Sequence, residues 1–482
     1  MNGGEALRNK CKQMSLSDIY QSVEERLETD KPELFRLLDE HLDWDEIIPN
    51  TFYRAFYQRF GRNRKYGLES FMRALFLQRI FHYVEDTQLL NTLQFSQEMR
   101  DYCGFDKVPD ASKLTRFKQN FCEHIREVFE RLVDITEPIC REMDTALADL
   151  LIFDTTGIES YVAENNPKFL RKMSAQSHSI SQLDPTFDAS SGGYSFIPKV
   201  ATSNPAVKLQ YINGCFCYAQ KAGIVANGLG IIRHIELFDE DFKQRHPDIQ
   251  IEKRTNYPEF DKEVGDSKSL KPVLLDFRAK HPNFRYSTFS ADAAFDSYDT
   301  FVFLLNDYGF SKAVIPFRRK PPADVGFNDL GTPLCPKDDT PFVFDSKYQV
   351  KGRALRFKFV CPKTKWIATE RGHSRRCYCD TPCSDSLCGR TIYVCPYANL
   401  RLYPGISRDS DEFAKVYKRR TVVERSIYTI KDTLGVSNRK TSNVLTTKAD
   451  LFLAGIVQLL CVLLAHKLHD RKLARRPRRL IA

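Results

Sequence analysis

The 482-residue chain is 42% hydrophobic and 28% charged, a balance that excludes a disordered chain and allows two to four domains with at least one sizeable core. Lys plus Arg (72) exceed Asp plus Glu (62), giving a net charge of +10; this suits a nucleic-acid partner without establishing one. The chain holds fourteen Cys residues and opens with thirty polar residues that carry no apolar core, so no secretory signal is expected, and a reducing cytoplasm favours metal over disulfides for clustered Cys.

Residues 1–145 are predicted to form a helical N-terminal domain. FYRAFYQRF, LESFMRALFLQRIFHYV and KLTRFKQNFCEHIREVFERLVDI carry apolar residues at spacings of three and four, and CGFDKVPDAS supplies a break and an N-cap between the last two. Such a unit fits DNA binding and plain helical packing equally. At Leu150 the texture changes: LLIFD is a compact apolar run ending in a carboxylate, as in a central strand. A polar stretch rich in Ser, Asn and Pro occupies 161–206. GCFCYAQKAGIVAN and IIRHIELF then read as strands joined at Gly228–Gly230, KSLKPVLLDFRAK as a helix, YSTFSAD as a strand, YDTFVFLLNDYG as a helix and KAVIPF as a strand. Paired strands followed by alternating strands and helices predict an α/β core, 146–317. Residues 318–409 are Pro- and Cys-rich with short strand-like runs (PFVFD, LRFKFVC, GRTIYVC) and read as an inserted β-rich subdomain. The core resumes over 410–470, and 471–482 is a basic tail. Within 410–470, residues 451–465 are almost wholly apolar; fifteen residues fall short of the roughly 20 that cross a bilayer, so a buried core helix is expected and no membrane partner.

Asp154 closes the strand LLIFD and is followed by Thr-Thr-Gly; Asp292 closes another in FSADAAFD. Carboxylates at the carboxyl ends of adjacent strands can converge, and their hard oxygens suit Mg²⁺ or Mn²⁺, two of which can hold the attacking and leaving oxygens of a phosphodiester displacement. Two strand-end Asp residues are commonplace by themselves. The more specific pattern lies in VYKRRTVVERSIYTIKDTLG, where Tyr417, Arg420, Glu424 and Lys431 follow at steps of three, four and seven. At about 100° per residue they share one helix face, which lets a carboxylate ligate metal while its neighbours grip phosphate.

That spacing, Tyr-(2)-Arg-(3)-Glu-(6)-Lys, resembles the signature of bacterial insertion-sequence transposases of the insertion-sequence-four superfamily. LLIFDTTGIE resembles their first-Asp motif, and FSADAAFDSYD their second, with Phe295 where Tyr is usual. YGLESFMRALFLQRI resembles the helical domain preceding the core. The resemblance implies a ribonuclease H-like catalytic domain whose metal ligands are Asp154, Asp292 and Glu424, with Tyr417, Arg420 and Lys431 on DNA near the transposon end; Asp149, Asp296 and Asp299 are fallback carboxylates. It further implies a DDE transposase that nicks element ends and joins them to target DNA, with terminal inverted repeats and target DNA as partners, a homodimer when bound to DNA, and a place in the bacterial cytoplasm with the nucleoid. A DNA-binding descendant that lost catalysis and a ribonuclease H-like nuclease without strand transfer are the rival readings.

Cys377, Cys379, Cys383 and Cys388 fall in the spacing C-x-C-x3-C-x4-C, near Cys361, Cys335 and Cys395. One structural Zn²⁺ and reduced thiols in a small core both fit this spacing. Trp366 in the same segment suits a core position or stacking on an unpaired base.

Overall fold

The computed structural model describes residues 32–58, 63–184, 186, 197–212, 215–247, 264–370, 372–437 and 439–481. The polar opening and part of the 161–206 stretch lie outside them. The chain mixes helices with one large sheet. Its strands are β1 (Leu150–Glu159), β2 (Val200–Ala201), β3 (Asn204–Ile212), β4 (Cys215–Asn227), β5 (Ile232–Leu237), β6 (Thr288–Ser290) and β7 (Lys312–Val314), in the order β2-β3-β4-β1-β6-β7 with β5 also on β4. β4 is long enough to pair β3 through Cys215–Ala219 and β5 through Ala222–Ala226 along one edge. Its other edge runs antiparallel to β1, while β6 and β7 run parallel to β1.

β1 is apolar without alternation because both sheet faces are covered. Leu151 and Phe153 pack with Val273, Leu274 and Phe277 of the helix Asp266–Lys280 and with Phe301 and Leu304. Ile152 belongs to the opposite face, where it shares one apolar cluster with the N-terminal helices and the helix Val444–Lys467. The helices Leu68–Ile80 and Cys122–Met143 therefore have no core of their own; they close over the same centre as the sheet. Val444–Lys467, at 24 residues, is long and apolar enough to span a membrane by length and composition, yet 89% of its most apolar window is buried inside the protein.

A buried charge cluster ties these parts together. Asp450 in that helix pairs with Arg79, with Lys118 at 3.4 Å and with Arg439 at 2.9 Å. Asp86 pairs with Lys118 at 2.9 Å and Arg439 at 2.8 Å. Burial alone would raise the Asp450 carboxyl, but the three cations hold it below the usual range.

Between β7 and the helix Asp411–Lys418 lie two small sheets. β8 (Val343–Tyr348), β9 (Arg356–Val360) and β12 (Thr391–Val394) pair antiparallel in the order β12-β9-β8, and β10 (Thr364–Thr369) with β11 (Gly372–Cys377) makes a hairpin. Phe342, Phe357, Phe359 and Tyr403 give this segment its own small apolar cluster. Arg408 returns it to the large sheet by donating to Ile315 O at 2.6 Å and stacking on Phe317.

Candidate active site

Parallel pairing sets Leu150, Leu151 and Ile152 opposite Thr288, Phe289 and Ser290. Continued for two residues, the same register brings Asp154 alongside Asp292, just past the carboxyl end of β6. Side chains alternate along a strand, so Asp154 faces the same side as Ile152. Asp292 caps the short turn after β6, its Oδ1 accepting from Ala294 N at 2.8 Å.

The helix Thr421–Tyr428 covers this face. Val423 buries in the common core, and Ser426 Oγ donates to Gly230 O at 2.9 Å in the β4–β5 turn. Gly230 has φ +83°, and a Cβ there would stand 2.8 Å from Val422 Cγ1, so glycine is what allows turn and helix to meet. Glu424 projects half-exposed from this helix. Arg420 stands between the acids: Nη2 donates to Glu424 Oε1 at 2.5 Å, and Nη1 lies 3.7 Å from Asp154 Oδ2.

The electrostatics follow from this packing. Burial pushes the Asp154 carboxyl from its usual 3.8 up to about 7; Asp292 and Glu424 push the same way, while Thr155 N–H and Arg420 offset part of the rise. Burial also raises Asp292, assisted by Asp266 and Glu424 and opposed by Ala294 N–H and Arg420. Asp266, which sequence reasoning missed, opens its helix beside the site: Thr155 Oγ1 donates to Asp266 Oδ1 at 2.6 Å, and Lys221 Nζ pairs with the same oxygen at 2.6 Å. Its only sequence signal is an acid in a first helical turn, which reads as an ordinary dipole partner.

The expected four-residue stripe on one continuous helix is not what forms. Arg420, Val422 and Val423 N–H groups bond three residues back, breaking the helix between Lys418 and Thr421, and Thr429–Thr433 widens to a π turn. Arg420 and Glu424 stay together across this, but Lys431 does not face an open groove. Its Nζ donates to Gly157 O at 2.8 Å and lies 3.4 Å from Thr156 Oγ1, and burial lowers its pKa. Tyr417 packs, half-buried, against Val314, Ile406 and Phe413. Among the fallback acids, Asp296 is buried and clamped by Arg401 at 2.9 and 2.7 Å and by Arg318 N at 2.8 Å, while Asp149 accepts from Ser287 N at 3.1 Å. Asp299 is exposed on the helix Tyr298–Val302. None of the three turns toward Asp154 in these contacts.

Asp154, Asp292 and Glu424 offer hard oxygen donors of the kind a divalent cation takes. Among the described residues no group of three or more His, Cys, Asp or Glu side chains already stands as a metal-binding set; here Arg420 supplies the positive charge between Asp154 and Glu424. In the Cys-rich segment, Cys377, Cys379 and Cys383 line one small recess, but Cys388 is exposed and lies outside it; Cys335 and Cys361 line it instead. Trp366 is exposed, with the Arg375 guanidinium 5.0 Å from its ring centre, and is not core.

Residues 21–120 match the family described as Transposase domain (DUF772). The match supports a transposase family; its described residues lie among the helices that share a core with the sheet, and it stops short of β1. No curated protein matches the chain.

Proposed function

We propose that this chain is a DNA transposase of the insertion-sequence-four kind, cutting phosphodiester bonds at the ends of a mobile element and joining the freed 3′ ends to target DNA. The observation that carries the reading is Arg420 standing between Asp154 and Glu424, with Asp292 near enough to push the Asp154 carboxyl up, in a chain whose N-terminal helices match a transposase domain. The strand order supports a ribonuclease H-like core: an antiparallel run of β1, β4 and β5 followed by parallel β6 and β7.

Asp154, Asp292 and Glu424 would hold Mg²⁺ or Mn²⁺, which supplies charge neutralisation and an activated water. The chain's own residues do the rest. Asp154, half-protonated near neutrality, would be held as a carboxylate by a cation beside it, because that charge offsets the cost of its own. Arg420 holds Glu424 in place and carries a guanidinium suited to bidentate contact with a DNA phosphate. Exposed Lys418 and Arg419 extend that charge along the same turn. Lys431 braces Gly157 and so fixes the strand beyond Asp154; a phosphate contact from it would need the side chain to swing out.

The test uses purified protein, Mg²⁺ or Mn²⁺, and labelled duplex carrying the element's terminal repeats. Nicked ends and target-joined products are expected, and E424Q should abolish both while still binding the duplex. Nicking without joining would favour a nuclease that lacks strand transfer; binding without nicking would favour a DNA-binding descendant.

A further inference from the structure

The Cys-rich segment holds a second candidate metal centre with a ligand set that spacing alone does not give. Cys335, Cys361, Cys377, Cys379 and Cys383 line one recess of about 10 Å³, room for roughly one water-sized sphere. They arrive from four separate places: the turn before β8, the end of β9, the end of β11, and the loop that follows it. Cys383 shares a hydrogen bond with Cys335. Cys361 and Cys377 flank Gly389, where a Cβ would stand 3.4 and 3.5 Å from their Cβ atoms. Gly389 has φ +75°, so the loop can pass this close only as glycine.

We propose that this recess binds one structural Zn²⁺ through Cys335, Cys361 and Cys383, with Cys377 or Cys379 as the fourth thiolate. The lining includes Lys363, Arg390 and Asp338, and Lys363 hydrogen-bonds Cys379. Lys363 and Arg390 would offset part of the net negative charge of a four-thiolate zinc. The sulfurs do not yet stand as a binding set, so they close on the ion by rotating about χ1, their protons leaving to solvent. A closed site of four thiolates leaves no position for substrate, so its work is to join β8–β9–β12 to the β10–β11 hairpin.

Metal analysis of the full-length protein purified without added zinc tests this. About one zinc per chain is expected, lost in C335S and in C361S and retained in C388S; C377S and C379S should differ, naming the fourth ligand. Should C335S or C361S fail to fold, cobalt-exchanged wild type serves instead: thiolate-to-metal charge-transfer bands and intense d–d bands of a tetrahedral site are expected. Zinc retained in C335S and lost in C388S would overturn the ligand set. Substoichiometric metal together with an intact Cys335–Cys383 disulfide, or with thiols that all titrate freely, would overturn the site itself.

Discussion

Asp154 is a carboxylate the fold holds against its own preference. Its pKa rises from 3.8 to about 7, so the native state keeps a proton that the unfolded chain has released between those values. Stability therefore falls as pH climbs from about 4 to 7, by at most about 4 kcal/mol at roughly 1.4 kcal/mol per unit. Asp154→Asn removes that charge, and in metal-free protein it should raise the melting temperature at pH 8 by several degrees, with the gain shrinking toward pH 4. Mg²⁺ should stabilise the wild type and leave Asp154→Asn nearly unmoved, since only a cation that binds the native carboxylates shifts the equilibrium. Equal stabilisation of both proteins by Mg²⁺ would remove Asp154 from the cation's ligands. At this scale the apolar runs LLIF and FSA pointed to Asp154 and Asp292, and a helical spacing pointed to Glu424 and Arg420; but Asp154 does not close its strand as expected, because pairing with β4 carries β1 on to Glu159. Asp266 was invisible because nothing local ties it to Thr155, 111 residues earlier.

Elements decide whether those residues meet. β1, β4, β5, β6 and β7 were legible as apolar runs between turn residues. The helix Pro167–Leu183 was not, because its polar residues mask the period in a stretch rich in Ser and Asn. The β10–β11 hairpin was not either, since Lys365, Arg375 and Arg376 interrupt its pattern. The kink at Arg420 and the π turn at Thr429–Thr433 were beyond reach, as spacing presumes an ideal helix. What seats the Glu424 helix is Gly230. Gly230→Ala places a methyl 2.8 Å from Val422 Cγ1 on a backbone of φ +83°, at a cost of about 1–2 kcal/mol. The helix must shift outward to admit it, so strand cleavage should fall by about tenfold or more, because catalytic groups tolerate little misplacement. Urea titration separates the two effects. A cleavage rate that tracks only the folded fraction would mean that Gly230 merely stabilises.

At the scale of the molecule, the change of texture at Leu150 marks a change of secondary structure and not the end of a core. The N-terminal helices and the sheet share one apolar cluster around Val444–Lys467, and Arg79, Asp86, Lys118, Arg439 and Asp450 lock three distant stretches at its centre. The sequence could not reveal this, since the charges lie up to 371 residues apart and each looks like an ordinary surface residue. Asp450→Asn leaves Arg79, Lys118 and Arg439 buried with only Asp86 to neutralise them. Breaking a buried network by removing one partner costs about 3–5 kcal/mol, and the loss should appear at both ends of the chain. Trp44 is buried among the N-terminal helices, so with Trp366→Phe as background its fluorescence reports on them alone, while circular dichroism reports on the whole. For a shared core both signals should shift to lower urea together in Asp450→Asn, with coincident midpoints. If Trp44 unfolds at its own midpoint and Asp450→Asn leaves that midpoint in place, the helices would be an independent domain resting on the sheet, and the transposase-domain match would describe a unit energetically separate from the candidate active site.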